Sequence, residues 1–127
     1  MKKLLLLLLL IPNFVLAENV LYCKDEIATG FSKENGRWIT GNFVLLRHTI
    51  KFNDDYTALD MGEVRMTCRR PMSWKPEHIV CSDILGFEHF SYNQDTKRYV
   101  KTIQGSGGYV LDGPDTDTMQ AGSCEKF

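Results

Sequence analysis

An all-β fold is predicted: a small antiparallel meander closed into a barrel or sandwich of about eight short strands and stapled by disulfides. Three observations point to it. Apolar residues alternate with polar ones along most of the chain, and turn signals return every 8–12 residues. No window of 11 or more residues keeps an apolar stripe at helical spacing. Four cysteines, Cys23, Cys68, Cys81 and Cys124, fall in or beside the predicted strands.

Taken in order, Val20–Cys23 opens as a short strand and Ile27–Ser32 follows as a weaker one. Asn35-Gly36 is a tight hairpin signal, with Arg37–Ile39 returning. The strongest strand is expected over Phe43–Phe52, with Val44, Leu46, His48, Ile50 and Phe52 on one face. Asn53-Asp54-Asp55 turns the chain, and Tyr56–Gly62 has no clear period. In Glu63–Cys68, alternation turns Val64, Met66 and Cys68 inward and Glu63, Arg65 and Thr67 outward. His78–Cys81, Leu85–Tyr92, Lys97–Ile103, Tyr109–Leu111 and Thr118–Cys124 complete the strands, separated by Asn, Asp, Gly and Pro turns.

The first 17 residues read as a secretory signal peptide. Lys2 and Lys3 precede an apolar run from Leu4, and Val15-Leu16-Ala17 forms a cleavage site before Glu18. The run is interrupted by Pro12 and Asn13 and falls short of the ~20 residues a spanning helix needs. Acylation at Cys23 requires a small preceding residue, and Tyr22 stands there. Residues 18–127 are then a single exported domain, long enough for one modest core. Loss of Lys2 and Lys3 takes the net charge from −1 to −3, which gives no global drive toward nucleic acid or stable membrane association. The expected location is secreted or periplasmic.

An even number of cysteines in a short exported chain reads as disulfides, and no C-x-x-C pair supports zinc or dithiol redox chemistry. Three pairings are possible. Cys68–Cys81, close in sequence, with Cys23–Cys124 joining the two ends, is the favoured set. In the chain-entropy account such loops are worth ~3 and ~4.7 kcal/mol.

The loop between Cys68 and Cys81 carries Arg69, Arg70, Trp74, Lys75 and His78, with Pro71 and Pro76 limiting its freedom. A stiffened loop presenting Arg and Trp suits a protein contact, because little ordering entropy remains to be lost. Alternatively Trp74 folds down as a lid and the arginines pair with neighbouring carboxylates. His48, Glu63, Arg65 and His89 are the parts a small exported nuclease uses as acid, base and phosphate clamp, although alternation turns His48 away from the other two. Asp112, Asp115 and Asp117 lack the spacing of a calcium loop, and Gly105–Gly108 lacks the lysine of a phosphate loop. No nucleophile motif is present, and neither metal nor cofactor is implied. A lipocalin-like carrier is a further class, and it requires a cavity that eight strands barely enclose.

Tyr22 with Cys23, Cys81-Ser82-Asp83, Phe90-Ser91-Tyr92, Arg98-Tyr99 and the terminal Gly122–Phe127 together resemble a family of small exported bacterial proteins of unknown function. That likeness covers most of residues 18–127 and implies no activity. A second likeness is to periplasmic inhibitors of c-type lysozyme, which are eight-stranded barrels with a Ser-Gly-x-x-Tyr loop. Ser106-Gly107-Gly108-Tyr109 is one residue shorter than that loop, and the family's lysine-bearing motif has no counterpart. The expected function is therefore an exported binding module contacting a protein through the stapled loop, with lysozyme inhibition and a nuclease-like hydrolase as alternatives.

Overall fold

The computed structural model describes residues 19–105 and 107–126. The predicted signal peptide, Ser106 and Phe127 lie outside them. Among the described residues, nine strands form one antiparallel sheet. They are β1 (Val20–Glu34), β2 (Arg37–Asn42), β3 (Arg47–Phe52), β4 (Ala58–Asp60), β5 (Arg65–Arg69), β6 (His78–Ser82), β7 (Glu88–Asn93), β8 (Arg98–Gln104) and β9 (Asp117–Lys126). β1 pairs with β9 from Leu21↔Lys126 to Phe31↔Asp117, which closes eight strands into a barrel. β2 is the extra strand and pairs with β1 beyond the barrel proper.

Several boundaries differ from the sequence reading. Val20–Cys23 and Ile27–Ser32 are parts of one strand of 15 residues, joined through a register shift between Asp25 and Ile27. The bulge changes the parity of β1, so Leu21, Cys23 and Asp25 face inward, and then Ala28 does. The strand expected at Phe43 begins only at Arg47. Residues 43–46 leave the ladder, and Val44, Leu45 and Leu46 are exposed, where alternation had put Val44 and Leu46 in the core. Tyr109–Leu111 is a single 3₁₀ turn instead of a strand. Residues 83–87 are a turn ahead of β7, and the ambiguous stretch after Tyr56 contains β4.

Turn chemistry explains the joints. Asn35 and Gly36 both take positive φ (51° and 76°), the two-residue type I′ geometry that matches strand twist. Asn93 Oδ1 accepts the N–H of Asp95 and Thr96, closing the β7–β8 turn. Asn53 Oδ1 does the same for Thr57 and Ala58 between β3 and β4.

Side chains fill the barrel interior. Ile50, Leu59, Ile79 and Phe90 are 0% exposed. Phe90 stacks on Tyr99 at 5.3 Å between centroids, and Phe52 lies against Tyr92 at 5.6 Å. Both expected disulfides form, each between directly opposed residues: Cys23–Cys124 with Cα atoms 3.9 Å apart, and Cys68–Cys81 with Cα atoms 4.0 Å apart. Among the described residues no helix is long and apolar enough to cross a membrane.

Strand direction defines two ends. The loop end holds the 53–57 turn, the stapled 70–77 loop and the 94–97 turn. The opposite rim holds the β1–β2 hairpin and segments 43–46, 61–64, 83–87 and 105–116.

Candidate functional site

At the loop end, the disulfide and a set of backbone bonds shape residues 70–77. The Lys75 N–H donates to Met72 O (3.2 Å) and the His78 N–H to Lys75 O (3.1 Å). Arg70 is consumed in holding the loop. Its guanidinium donates to Pro76 O and to Gln94 Oε1 (2.7 Å), and it lies 5.4 Å from the Tyr56 ring centroid. The arginine therefore pairs with amide oxygens and an aromatic face, with no carboxylate bonded to it among the described residues. Trp74 is not a lid: 75% of it is exposed. Arg69, on the outer face opposite Val80, and Lys75 are exposed beside it.

His78 is half-buried, and its Nε2 meets Ser91 Oγ at 2.7 Å across the β6–β7 pair. Both line a groove of about 610 Å³ on the outer wall of the barrel. Its floor is apolar (Ile27, Val100, Ala121), and Met72 and Lys75 of the stapled loop border it. Of the five predicted contact residues, the groove takes in Lys75 and His78, while Trp74 projects free and Arg70 is structural.

The nuclease-like quartet is not assembled. His48 faces inward, Glu63 lies in the β4–β5 turn, and Arg65 and His89 sit at outward positions. The His89 ring bonds to Gly86 O at 2.9 Å. The acidic trio is likewise spent on the fold. Asp112 pairs with Lys33 Nζ (2.9 Å) and the Trp38 indole N–H, and both hold its carboxyl below the usual carboxylate range. Asp115 accepts Gly107 N–H, and Asp117 accepts Gly105 and Tyr109 N–H. Among the described residues no cluster of His, Cys, Asp and Glu is disposed to hold a metal. The carrier reading loses its cavity to the aromatic rings of the interior.

Sequence reasoning missed the most concentrated polar chemistry, which is inside the barrel. Asp25 is 1% exposed. Its Oδ1 accepts the Tyr99 hydroxyl (2.5 Å) and His48 Nε2 (3.1 Å), and its Oδ2 accepts the Leu46 N–H (3.0 Å). Burial, then this hydrogen bond to Asp25, push the Tyr99 phenol far above its ordinary range. Gly122 makes the approach possible, since a Cβ there would stand 2.8 Å from the Tyr99 hydroxyl oxygen and 2.0 Å from Lys24 O. One signal was present: Asp25 continues the inward parity of Leu21 and Cys23. This network ties residue 46 to the barrel wall, with the Asp25 carboxylate itself buried.

No family model matches the chain, and no curated protein or solved structure matches it significantly.

Proposed function

We propose that the chain is an exported binding module that recognises a protein partner and catalyses nothing. Two formed disulfides fit an oxidising compartment, in line with the signal-like first 17 residues. The observation that carries the reading is Trp74, 75% exposed on a loop closed by a disulfide and pinned by Arg70. An aromatic held in water by a rigid frame loses little entropy on docking, which is the property of an interface hot spot. The test is Trp74→Ala with Lys75→Ala, leaving Arg70 in place. Loss of a partner captured from exported proteins, with an unchanged melting temperature, supports the reading; undiminished capture overturns the stapled loop as the contact.

A second reading, inhibition of c-type lysozyme, is favoured by the eight-stranded closure and by Tyr109, 58% exposed beside Gly107 and Gly108. A cell-wall turbidity assay decides it. No protection at micromolar protein removes it.

A further inference from the structure

The rim opposite the stapled loop gathers most of the apolar side chains that the fold leaves in water. Among the described residues, nine of the fifteen exposed large apolar side chains lie in four rim segments: Ile39, residues 44–46, Ile84 with Leu85, and residues 109–111. Ile84 is 99% exposed and Val110 88%, so these are projecting groups and not the edges of core residues. Trp74 is the sole member of that set in the loop-end turns.

Three of these segments are held in the same way, each by an aspartate that accepts backbone N–H groups. Asp25 accepts Leu46 N–H and so anchors 44–46. Asp83 accepts Glu88 N–H (3.1 Å) across the turn that carries Ile84 and Leu85. Asp117 accepts Gly105 and Tyr109 N–H (2.8 and 3.0 Å) at the base of 109–111. Tyr109 is further wedged against Trp38 and Phe31, with centroids at 5.3 and 5.6 Å. Apolar groups on a preformed backbone are placed to dock with little backbone ordering cost.

Charge selects the occupant. Segments 33–38, 43–47, 60–65, 83–88 and 104–117 carry eight Asp and Glu against four Lys and Arg, a net −4. The loop-end segments 51–58, 69–78, 93–98 and 125–126 carry seven Lys and Arg against five Asp and Glu, a net +2. An acidic rim repels an anionic lipid surface and repels a second rim of its own kind. It suits a basic surface with apolar clefts. We infer that this rim is a docking surface for a cationic protein, with residues 84–85 and 109–111 as its apolar anchors. The inference rests on the binding-module reading, but not on Trp74.

The test places a photo-crosslinking residue at position 74, 84 or 111 of the domain. Each is irradiated with exported proteins retained on a cation exchanger, with the unretained acidic proteins, or with phosphatidylglycerol-containing vesicles. Expected are adducts from positions 84 and 111 with the basic fraction only. The position-84 adduct should fall about tenfold in Val110→Ser/Leu111→Ser, as for loss of a hot-spot pair, and the adducts from both rim positions should fall in 0.5 M NaCl. Because these side chains are exposed, the variant retains its melting temperature. Adducts from position 74 alone overturn the rim while leaving the stapled-loop reading standing. Adducts with acidic proteins, binding to vesicles, or no adduct from any position overturn the rim outright, and the last removes the binding-module reading as well.

Discussion

The two ends of the barrel are made rigid by different chemistry. At the loop end, a covalent bond between facing strands closes residues 69–80, and one arginine trims the result by donating to Pro76 O and Gln94 Oε1. At the rim no cysteine is present, and carboxylates accepting backbone N–H groups do the holding. A staple restricts the unfolded chain whatever its solvent exposure, whereas a carboxylate acts through local geometry and in proportion to its burial. The ends should therefore fail independently, one to loss of the cysteines and the other to loss of single aspartates.

The sharpest break is predicted at Asp25. Asp25→Ala leaves the Leu46 N–H and the Tyr99 hydroxyl without an acceptor, in a site 1% exposed. Removing one partner of a buried charged network costs about 3–5 kcal/mol. Thermal unfolding followed by circular dichroism should show a fall in Tm on the order of 10–20 °C. Residues 43–46 should exchange their amide hydrogens faster while 70–77 keep their protection. A fall of only about 2 °C would mean that the network is incidental.

Next in size is Cys68→Ala with Cys81→Ala. Opening a loop of that length costs about 3 kcal/mol in the chain-entropy account. Here hydrogen exchange should rise at residues 70–77 and stay unchanged at 105–111, the reverse of the Asp25 pattern. Equal acceleration at both ends would erase the distinction. Asp117→Ala should cost less, about 1–2 kcal/mol, because its backbone partners Gly105 and Tyr109 are not deeply buried. Its signature is local: faster exchange at Gly105 and Tyr109, with the stapled loop untouched.

How much of this the sequence discloses follows from what period-two patterning can register. Alternation located Met66 and Cys68 inward and Arg65 outward, and it put His48 inside, because those strands keep one parity from end to end. It could not register the extra residue in β1 that reverses parity after Asp25, so one long strand read as two. It also carried Val44 and Leu46 into the core, since a pattern shows which residues are apolar but not where the ladder stops. The disulfide pairs were legible because loop length and closure agree on them. The exposure of Trp74 was not, because a loop tryptophan is equally consistent with a lid, and only the folded loop shows it 75% exposed. Nor could the rim be seen, since its four apolar segments are scattered through the chain and meet only when strand directions are known.

The smallest predicted effect concerns pH and the interior between the two ends. Tyr92 is 3% exposed, and burial, with the neighbouring Tyr56 phenol adding to it, pushes its hydroxyl up to about 12 from an ordinary 10. The native state thus holds the proton more tightly than the unfolded chain. The resulting stabilisation is fully present below pH 10 and is lost as pH rises from about 10 to about 12. Tyr99 is shifted in the same direction, so it adds to the alkaline loss and does not offset it. In Tyr92→Phe the group no longer titrates. Denaturant unfolding should then show the variant within about 1 kcal/mol of the parent at pH 8. Above pH 10 the parent should lose stability relative to the variant. Parallel curves through that window would show that Tyr92 meets water, and that the aromatic packing between the stapled loop and the rim is looser than its ring contacts imply.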